Sequence, residues 1–286
     1  MDAGPFVPAG SRDSLLGASP KIDTSVPHSA RRYDYWLGGK DNFWADRESG
    51  DAIEEIVPTI RLAALENRKF MRRVAAYLAE RGIRQFLDIG AGIPTSPNLH
   101  EIVQGIASDA AVVYVDNDPM VMVHARAWLT SISDGAVAYV EADLRHPKRI
   151  LADPQLRDTL DFGRPIALLL VAVLHFITDD AEACACVAEL VAALPRGSYV
   201  VVSHVDDTLA MFNAHSFSDS PHGPFRARSR GEVTRFVQGL ELVAPGVVSI
   251  VDWCDAGEKE SRPVVHTGPA VSAAEAAAYG VVARKP

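Results

Sequence analysis

Cysteine is scarce in this sequence, with three residues in a chain of 286. Cys184 and Cys186 lie two positions apart in an alanine-rich helical pattern, and such positions point to different sides of a helix. Cys254 stands alone. We therefore expect no shared metal site, and the low count predicts buried structural thiols in a reducing compartment.

Long hydrophobic runs are also missing. The longest strongly apolar run, Ile166–Leu174, has nine residues, whereas a membrane-spanning helix needs about 20. The first thirty residues contain Asp2 and several prolines and lack the apolar segment of a secretion signal. These features predict a cytoplasmic protein without a membrane partner.

Positive charge is in the minority, with 28 Lys and Arg against 37 Asp and Glu, a net charge of −9. A negative field repels phosphate backbones and anionic lipids. Nucleic acid is therefore not an expected partner, and we expect a small-molecule ligand instead. The 48% hydrophobic and 23% charged content is that of a globular protein.

Three regions differ in composition. Residues 1–27 are rich in Gly, Pro, Ser and Asp, which predicts a flexible tail. Residues 28–60 form an aromatic segment, since Tyr33 to Trp44 hold five of the chain's 21 aromatic residues. So much ring surface must pack on something, and we expect an arm or lid. Residues 61–286 have the pattern of a globular domain, with a polar, irregular insert at 205–230 that predicts a cap.

Helical and strand patterns alternate through this domain, which is typical of a doubly wound α/β sheet. The predicted helices are Arg61–Arg81, Pro119–Leu129, Ala181–Leu194 and Gly231–Gly239. The predicted strands are Gln85–Ile89, Ala111–Val115, Val137–Val140, Ile166–Val173, Ser198–Ser203, Leu240–Val243, Val247–Trp253 and Tyr279–Ala283. Ligands of such sheets bind at the carboxyl ends of the strands, so the residues that follow each strand carry the chemistry.

The first strand end reads Asp88-Ile89-Gly90-Ala91-Gly92. Gly90 and Gly92 let the backbone approach a ligand closely. Asp88 would repel the pyrophosphate of a dinucleotide, and the dinucleotide pattern G-x-G-x-x-G is broken by Thr95. A ligand with an ammonium group and no phosphate, such as S-adenosylmethionine, fits the acid better. The alternative is a β-turn capped by Asp88.

The next two strand ends also carry acids. Asp116, beside Asn117, follows Gly92 by 24 residues and can accept hydrogen bonds from both ribose hydroxyls, in NAD as in S-adenosylmethionine. Asp143 can accept the exocyclic amine of adenine, and Leu144 can flank the ring. The alternatives are a solvated loop acid at position 116 and a structural turn at position 143.

The fourth strand end places Val173 beside the expected reaction cavity and His175 where an acceptor would approach. The unperturbed pKa of histidine suits a general base, although a hydrogen-bonded loop histidine is an equal alternative. His204, after the fifth strand, could also face an acceptor. The sequence has no paired H-x-x-H or C-x-x-C ligands, and we expect no metal.

Taken together, these strand ends resemble those of a Class I S-adenosylmethionine-dependent methyltransferase, through Leu87–Gly92, Asp116 and Ala142–Leu144. The resemblance implies a Rossmann-like sheet of about seven strands, mostly parallel with an antiparallel terminal strand. Pro94 stands where that family often has a third glycine. With the string Asp34–Phe43 added, the chain resembles more closely a bacterial family of S-adenosyl methyltransferases, formerly described as a domain of unknown function. That family implies the cofactor and supplies no acceptor.

The aromatic segment suits a cofactor with a sulfonium, because aromatic rings attract cations. Tyr35, Trp36 or Phe43 could close over it and exclude water. Arg31 or Arg32 could pair with the methionine carboxylate, and Asn42 could bond its amino or carboxylate group. The alternative is that the rings only anchor an N-terminal arm on the core.

The sequence thus predicts methyl transfer by in-line displacement from S-adenosylmethionine to an unidentified acceptor, with S-adenosylhomocysteine as the product. His175 is the first candidate base and Tyr35 the second. A binding module that senses or sequesters S-adenosylmethionine without turnover is the main alternative. An NAD-dependent oxidoreductase is a further one, which Asp88 and Thr95 disfavour.

Overall fold

The computed structural model describes residues 23–121, 123, 136–212, 223–254 and 270–286. These ranges contain an eight-stranded sheet with helices packed on it. The strands are β1 (Gln85–Ile89), β2 (Ala111–Asp116), β3 (Val137–Glu141), β4 (Ala167–Val171), β5 (Tyr199–Val205), β6 (Glu241–Leu242), β7 (Val248–Ser249) and β8 (Ala278–Arg284). The helices are α1 (Ser29–Trp36), α2 (Trp44–Ile56), α3 (Ile60–Glu80), α4 (Leu99–Ile106), α5 (Pro147–Leu151), α6 (Pro154–Thr159), α7 (Asp180–Ala193), α8 (Arg230–Arg235) and α9 (Ala273–Ala276).

The strand order is β3-β2-β1-β4-β5-β8-β6, and β7 also pairs with β8. The first five of these strands are parallel, and β8 runs antiparallel to β5. This confirms the predicted mostly parallel sheet with an antiparallel terminal strand. The sheet has eight strands where about seven were expected, because two short strands pair with different parts of β8.

Successive side chains of each buried strand feed two apolar layers. Leu87 and Ile89 of β1 lie in one cluster, with the side chains of α7 and α8. Phe86 lies in the other cluster, with those of α3 and α4. A strand covered on both faces is mostly apolar along its whole length, which explains the near-continuous apolar runs in the sequence.

The two longest predicted strands are shorter in the structure. The run Ile166–Val173 yields β4, because Ala172 takes a left-handed conformation with φ 54° and the chain then turns through the 3-10 helix Leu174–Phe176. The run Val247–Trp253 yields only β7. There the Ser249 carbonyl accepts hydrogen bonds from the Asp252 and Trp253 amides, and this turn ends the strand.

The remaining predicted elements hold to within a few residues where they can be compared. The helix predicted for Gly231–Gly239 is α8, which begins and ends earlier. Of the helix predicted for 119–129, residues 119–121 and 123 are helical, and the others lie outside the described residues. So do residues 1–22 of the predicted tail and residues 213–222 of the predicted cap, which begins with the 3-10 helix Asp207–Phe212.

The cysteines carry free thiols. Cys186 is buried, as expected, whereas Cys184 and Cys254 are half-buried.

Among the described helices, none combines the length and the apolar character that crossing a membrane requires.

The aromatic segment is helical, and Asp46 ties its two helices together. This residue is fully buried at the start of α2. One carboxylate oxygen accepts the His28 amide at 2.8 Å, just before α1, and the other accepts the Phe43 amide at 2.9 Å. A buried carboxylate satisfied by two backbone donors fixes both helix starts. The segment is thus a packed pair of helices, and the division of the chain into tail, arm and domain stays a prediction.

Phe70 of α3 provides a test of this packing. Its side chain is fully buried and meets Trp253 edge to face, with ring centroids 5.8 Å apart. Phe70→Ala should lower the free energy of unfolding by about 3–5 kcal/mol, the usual cost of such a cavity. Leu65→Ala, on the same helix at a position 45% exposed, is the control and should cost far less. Urea unfolding of both variants checks this, and equal losses would contradict the packing.

Candidate active site

A cavity of about 420 Å³ lies at the carboxyl ends of the parallel strands. Gly90, Asp116, Asp143 and Val173, each at or just after the end of a different strand, line it. Further lining comes from α1, α2 and α3, from residues 223–225 and from residues 276–278. The volume is in the range of small-molecule sites, about 300–1,000 Å³, and the position is where doubly wound sheets bind ligands.

Helix α1 crosses these strand ends. At its start, His28 Nδ1 lies 3.0 Å from an oxygen of Asp118, just after β2. Further along α1, the Tyr33 hydroxyl reaches α3, where it donates to the Ala64 carbonyl at 3.0 Å. Through Asn67 of α3, Tyr33 is also linked to Ser203 of β5. Because β1 and β4 lie between β2 and β5 in the sheet, α1 covers the middle of the strand ends and lines one side of the cavity.

A chain of hydrogen bonds fixes this position of α1. The Asn67 amide donates to the Tyr33 hydroxyl at 2.9 Å, and the Ser203 hydroxyl of β5 donates to the Asn67 oxygen at 2.6 Å. The Ala172 amide, after β4, donates to the Ser203 hydroxyl at 3.0 Å. The arm, α3 and two strand ends are therefore joined through buried polar atoms, which favour a single arrangement when each is satisfied.

The glycine loop after β1 needs its glycines. Gly90 has φ 80°, and a Cβ on it would lie 2.5 Å from a methyl carbon of Val173. Gly92 has φ 66°, a Cβ on it would meet open space, and its amide donates to Asp116 at 2.8 Å. The loop thus leaves room for a ligand beside bare backbone.

Two buried carboxyl groups lie beside this loop. Burial raises the pKa of Asp88 to about 7; Arg68 works against this rise and Asp116 adds to it. Burial also raises the pKa of Asp116, although Asp116 accepts the amides of Asp118 and Gly92. A cationic group bound next to Asp88 would restore its charge, so this part of the cavity favours a ligand with an ammonium.

The third strand end forms a further part of the site. Asp143 is half-buried and accepts the Arg145 amide at 2.8 Å and its guanidinium at 3.1 Å. Leu144 beside it is buried, and Asn117 across from it is exposed. All three line the cavity. An apolar side chain next to an accessible carboxylate suits a flat ring that carries an amine.

His175 lies on the 3-10 helix after β4, and its side chain is buried. Its ring contacts Phe176, Phe225 and His204 at centroid distances of 4.2, 5.2 and 5.7 Å. Its Nδ1 has no hydrogen-bond partner within the described part of the chain. Burial, and then the charges around it, hold the pKa of His175 well below its usual range, so the ring is neutral.

A buried network of hydrogen bonds and an ion pair packs against His175. His204 Nδ1 donates to the Val205 carbonyl at 2.7 Å, and Nε2 accepts from Arg228 at 2.9 Å. Burial lowers the pKa of His204 to about 3. Arg228 also pairs with Asp180 at 2.9 Å and donates to the carbonyls of Leu174 and Ile177. Because these carbonyls flank His175, the network fixes the turn that carries it.

Three residues expected to hold the cofactor lie outside the cavity lining. The Arg31 guanidinium donates to the Asp23 and Val26 carbonyls. The Tyr35 hydroxyl donates to Asp51 at 2.7 Å. The Asn42 amide donates to Asp34 at 2.8 Å. Tyr35 and Asn42 are thus bonded within the arm, whereas Arg31 also lies 3.4 Å from Asp118, just after β2.

Other residues of the arm and of α3 take that place. Arg32, Tyr33, Trp36, Asn67 and Arg68 line the cavity, and only Arg32 and Trp36 were considered from the sequence. Adjacent helical residues differ by about 100° in direction, so only the helical phase of α1 separates Arg32 from Arg31. The remaining predicted residues, from Asp88 to His175, are brought together in this cavity. Within the described ranges, no group of three or more His, Cys, Asp or Glu could hold a metal ion.

Comparison with known proteins shows the family of the chain. A family model described as S-adenosyl methyltransferase matches residues 16–286. A solved DUF574 family protein from Streptomyces avermitilis MA-4680 is 44% identical, with 93% of this chain and 100% of that chain covered and a TM-score of 0.83. A structure from Thermobifida fusca YX, described as a candidate methyltransferase, is 39% identical, with 94% and 99% covered and a TM-score of 0.82. A search of curated proteins found no match.

The glycine loop allows a direct test. In Gly90→Ala, the new methyl group meets Val173 at 2.5 Å and the residue must hold φ 80°. We expect the variant to lose ligand binding at the strand ends and to melt at a lower temperature. Gly105→Ala is the matched control, because α4 has open space there and the change should stabilise the helix by up to about 1 kcal/mol. Melting temperatures of both variants, measured with and without S-adenosylhomocysteine, check this. Similar behaviour of the two variants would contradict the loop geometry.

Proposed function

The chain belongs to the S-adenosyl methyltransferase family, and we propose that it methylates a small-molecule acceptor bound in the cavity beneath α1. Its cofactor is S-adenosylmethionine, and its reaction class is methyl transfer. When bound, S-adenosylmethionine supplies a methyl group activated by the positive sulfonium, and S-adenosylhomocysteine is the product. The protein's part is to hold the two reactants in line and to exclude water.

The residues of the cavity fit this cofactor. Asp88 is a buried acid whose pKa is raised by burial, and a cationic group bound beside it would favour its charged form. The glycine loop leaves open space where a side chain would otherwise stand, at Gly92. A carboxylate at Asp116, which accepts hydrogen bonds, and an apolar surface at Leu144 complete the set of contacts for an amino acid joined to a nucleoside.

We assign the two charges of the methionine moiety to different residues. Asp88 would hold the ammonium. Arg68 of α3 would hold the carboxylate, because its charge acts on Asp88 and its guanidinium donates to the Thr95 carbonyl beside the glycine loop.

The nucleoside would lie along the next strand ends. Asp116 and Asn117 would hold the ribose, Asp143 the adenine amine and Leu144 one face of the ring, with Val173 against the reacting centre. Asp116 and Asp143 now accept backbone amides, but each carboxylate can accept further hydrogen bonds.

One observation carries the proposal for the acceptor: a single cavity joins these strand ends to a second set of residues that the cofactor does not need. His175 and Phe225 belong to this set, together with Trp36 of α1 and Ile53 of α2. Because α1 crosses the strand ends, the acceptor must fit beneath it, which supports a small molecule. The net charge of −9 supports the same reading against a nucleic acid.

His175 remains our first candidate to act on the acceptor. Its ring is neutral, as a base requires, but its lowered pKa opposes full protonation. His175 is therefore better placed to orient an acceptor group by a hydrogen bond than to take the proton of that group as a general base. Tyr35 does not line the cavity, and we assign it no step.

Labelled S-adenosylmethionine tests the proposal. The protein is incubated with it and with either the ultrafiltered small-molecule fraction or the macromolecular fraction of a bacterial extract. We expect label in a small molecule, together with S-adenosylhomocysteine. Asp116→Ala should abolish both signals by removing the ribose acceptor. Label only in macromolecules would overturn the acceptor class, and binding without turnover in either fraction would favour the sensing alternative.

Asp88 makes cofactor binding depend on pH. Burial raises its pKa to about 7, and an ammonium binds the ionised form. Below pH 7, binding must therefore release a proton, and affinity falls. Titration calorimetry with S-adenosylhomocysteine should show about tenfold weaker binding at pH 6 than at pH 8.

Asp88→Asn is the control for this dependence. It should bind S-adenosylhomocysteine weakly and with little change between the two pH values, because the titrating group is gone. A wild-type affinity that is level across this range would contradict the assigned role of Asp88.

A further inference from the structure

Arg32 is a buried cation in the cavity that the cofactor assignment leaves unused. Its side chain lines the cavity and is 6% exposed. One terminal nitrogen donates to the Ser49 hydroxyl at 3.2 Å. Its Nε is buried and has no hydrogen-bond partner among the residues that the structure describes. A buried guanidinium with one neutral partner has donors left for a ligand.

The arm neutralises this charge only in part. Asp46, the acid that acts most on Arg32, accepts two backbone amides and lies 3.7 Å from the Arg31 guanidinium. Burial lowers the pKa of Arg32 to about 10, so the side chain is still charged near neutral pH. A buried charge that is only partly compensated is costly, and a bound anion would reduce that cost.

Of the arginines that line the cavity, Arg32 and Arg68 serve different places. Arg68 acts on Asp88 and contacts the loop after β1. Arg32 instead acts on His175, whose Nδ1 is also without a partner in the described part of the chain. Arg32 and His175 therefore both line the acceptor region and both carry a polar atom without a partner, next to the rings of Phe176 and Phe225.

We propose that the methyl acceptor is a small organic carboxylate whose anionic group pairs with Arg32 and whose apolar body packs against Phe176 and Phe225. This deepens the proposed function and rests on it. A planar guanidinium pairs with a carboxylate through two parallel hydrogen bonds. A neutral analogue would leave the guanidinium buried and unpaired, so the pair would also select for charged acceptors.

The test measures binding of carboxylate probes to protein saturated with S-adenosylhomocysteine. The probes are benzoate, salicylate, phenylacetate and hexanoate, each compared with its amide by titration calorimetry. We expect at least one carboxylate to bind and its amide to bind about tenfold to a hundredfold more weakly. No binding by any of the carboxylates, or equal binding of acid and amide, would overturn the proposal.

Variants of Arg32 locate the anion. Arg32→Gln should weaken binding of the carboxylate that the wild type binds by a similar factor, and Arg32→Lys should restore part of that affinity. Both variants should bind S-adenosylhomocysteine within about threefold of the wild type, because the cofactor uses Arg68. A large loss of S-adenosylhomocysteine binding in Arg32→Gln would show instead that Arg32 holds the methionine carboxylate, and would overturn the proposal.

The outcomes separate this inference from the proposed function. If the wild type binds no S-adenosylhomocysteine, the proposed function fails; if it binds S-adenosylhomocysteine and no carboxylate, only the inference fails. Circular dichroism and melting temperatures show whether each variant is folded. If Arg32→Gln does not fold, the comparison of acids with amides on the wild type still decides.

Discussion

The hydrogen-bond chain from Tyr33 through Asn67 to Ser203 is the constraint on which the site depends. A Rossmann-like sheet by itself leaves its strand ends open to solvent. Here these hydrogen bonds hold α1 across the strand ends, and the buried Asp46 holds α2 beside α1. Because the chain also includes the Ala172 amide, the segment that leads to His175 is positioned by the same contacts. Helix α1 and the segment that carries His175 are therefore held in place by the same set of hydrogen bonds.

Closure has an electrostatic consequence. The partly covered cavity holds an acid with a raised pKa, Asp88, and a cation that shares its nearest carboxylate, Arg32. Both are costly in the ligand-free protein and are relieved by charges of opposite sign. Burying these two groups therefore lowers the stability of the ligand-free fold. An ammonium near Asp88 and an anion near Arg32 would each recover part of it, and this links the fold to the choice of ligands.

Much of this could be predicted from the sequence, and the limits have physical causes. The strand ends were predictable because apolar runs stop at Gly90, Asp116 and Asp143, and parallel strands bring such residues to one edge. The Class I resemblance is confirmed by the sheet and by the family match. The arm was harder. Which face of α1 meets the cavity depends on α3, so Arg32 could not be separated from Arg31. Asn67 gave no signal, because a polar residue in a helix normally faces solvent.

The most direct measurement is a crystal structure of the complex with S-adenosylhomocysteine. It should show the homocysteine between Asp88 and Arg68, the ribose on Asp116, and α1 still joined to Asn67 through Tyr33. Arg32 should then face open space next to the sulfur. A cofactor bound away from these strand ends, or an α1 displaced from Asn67, would contradict the account.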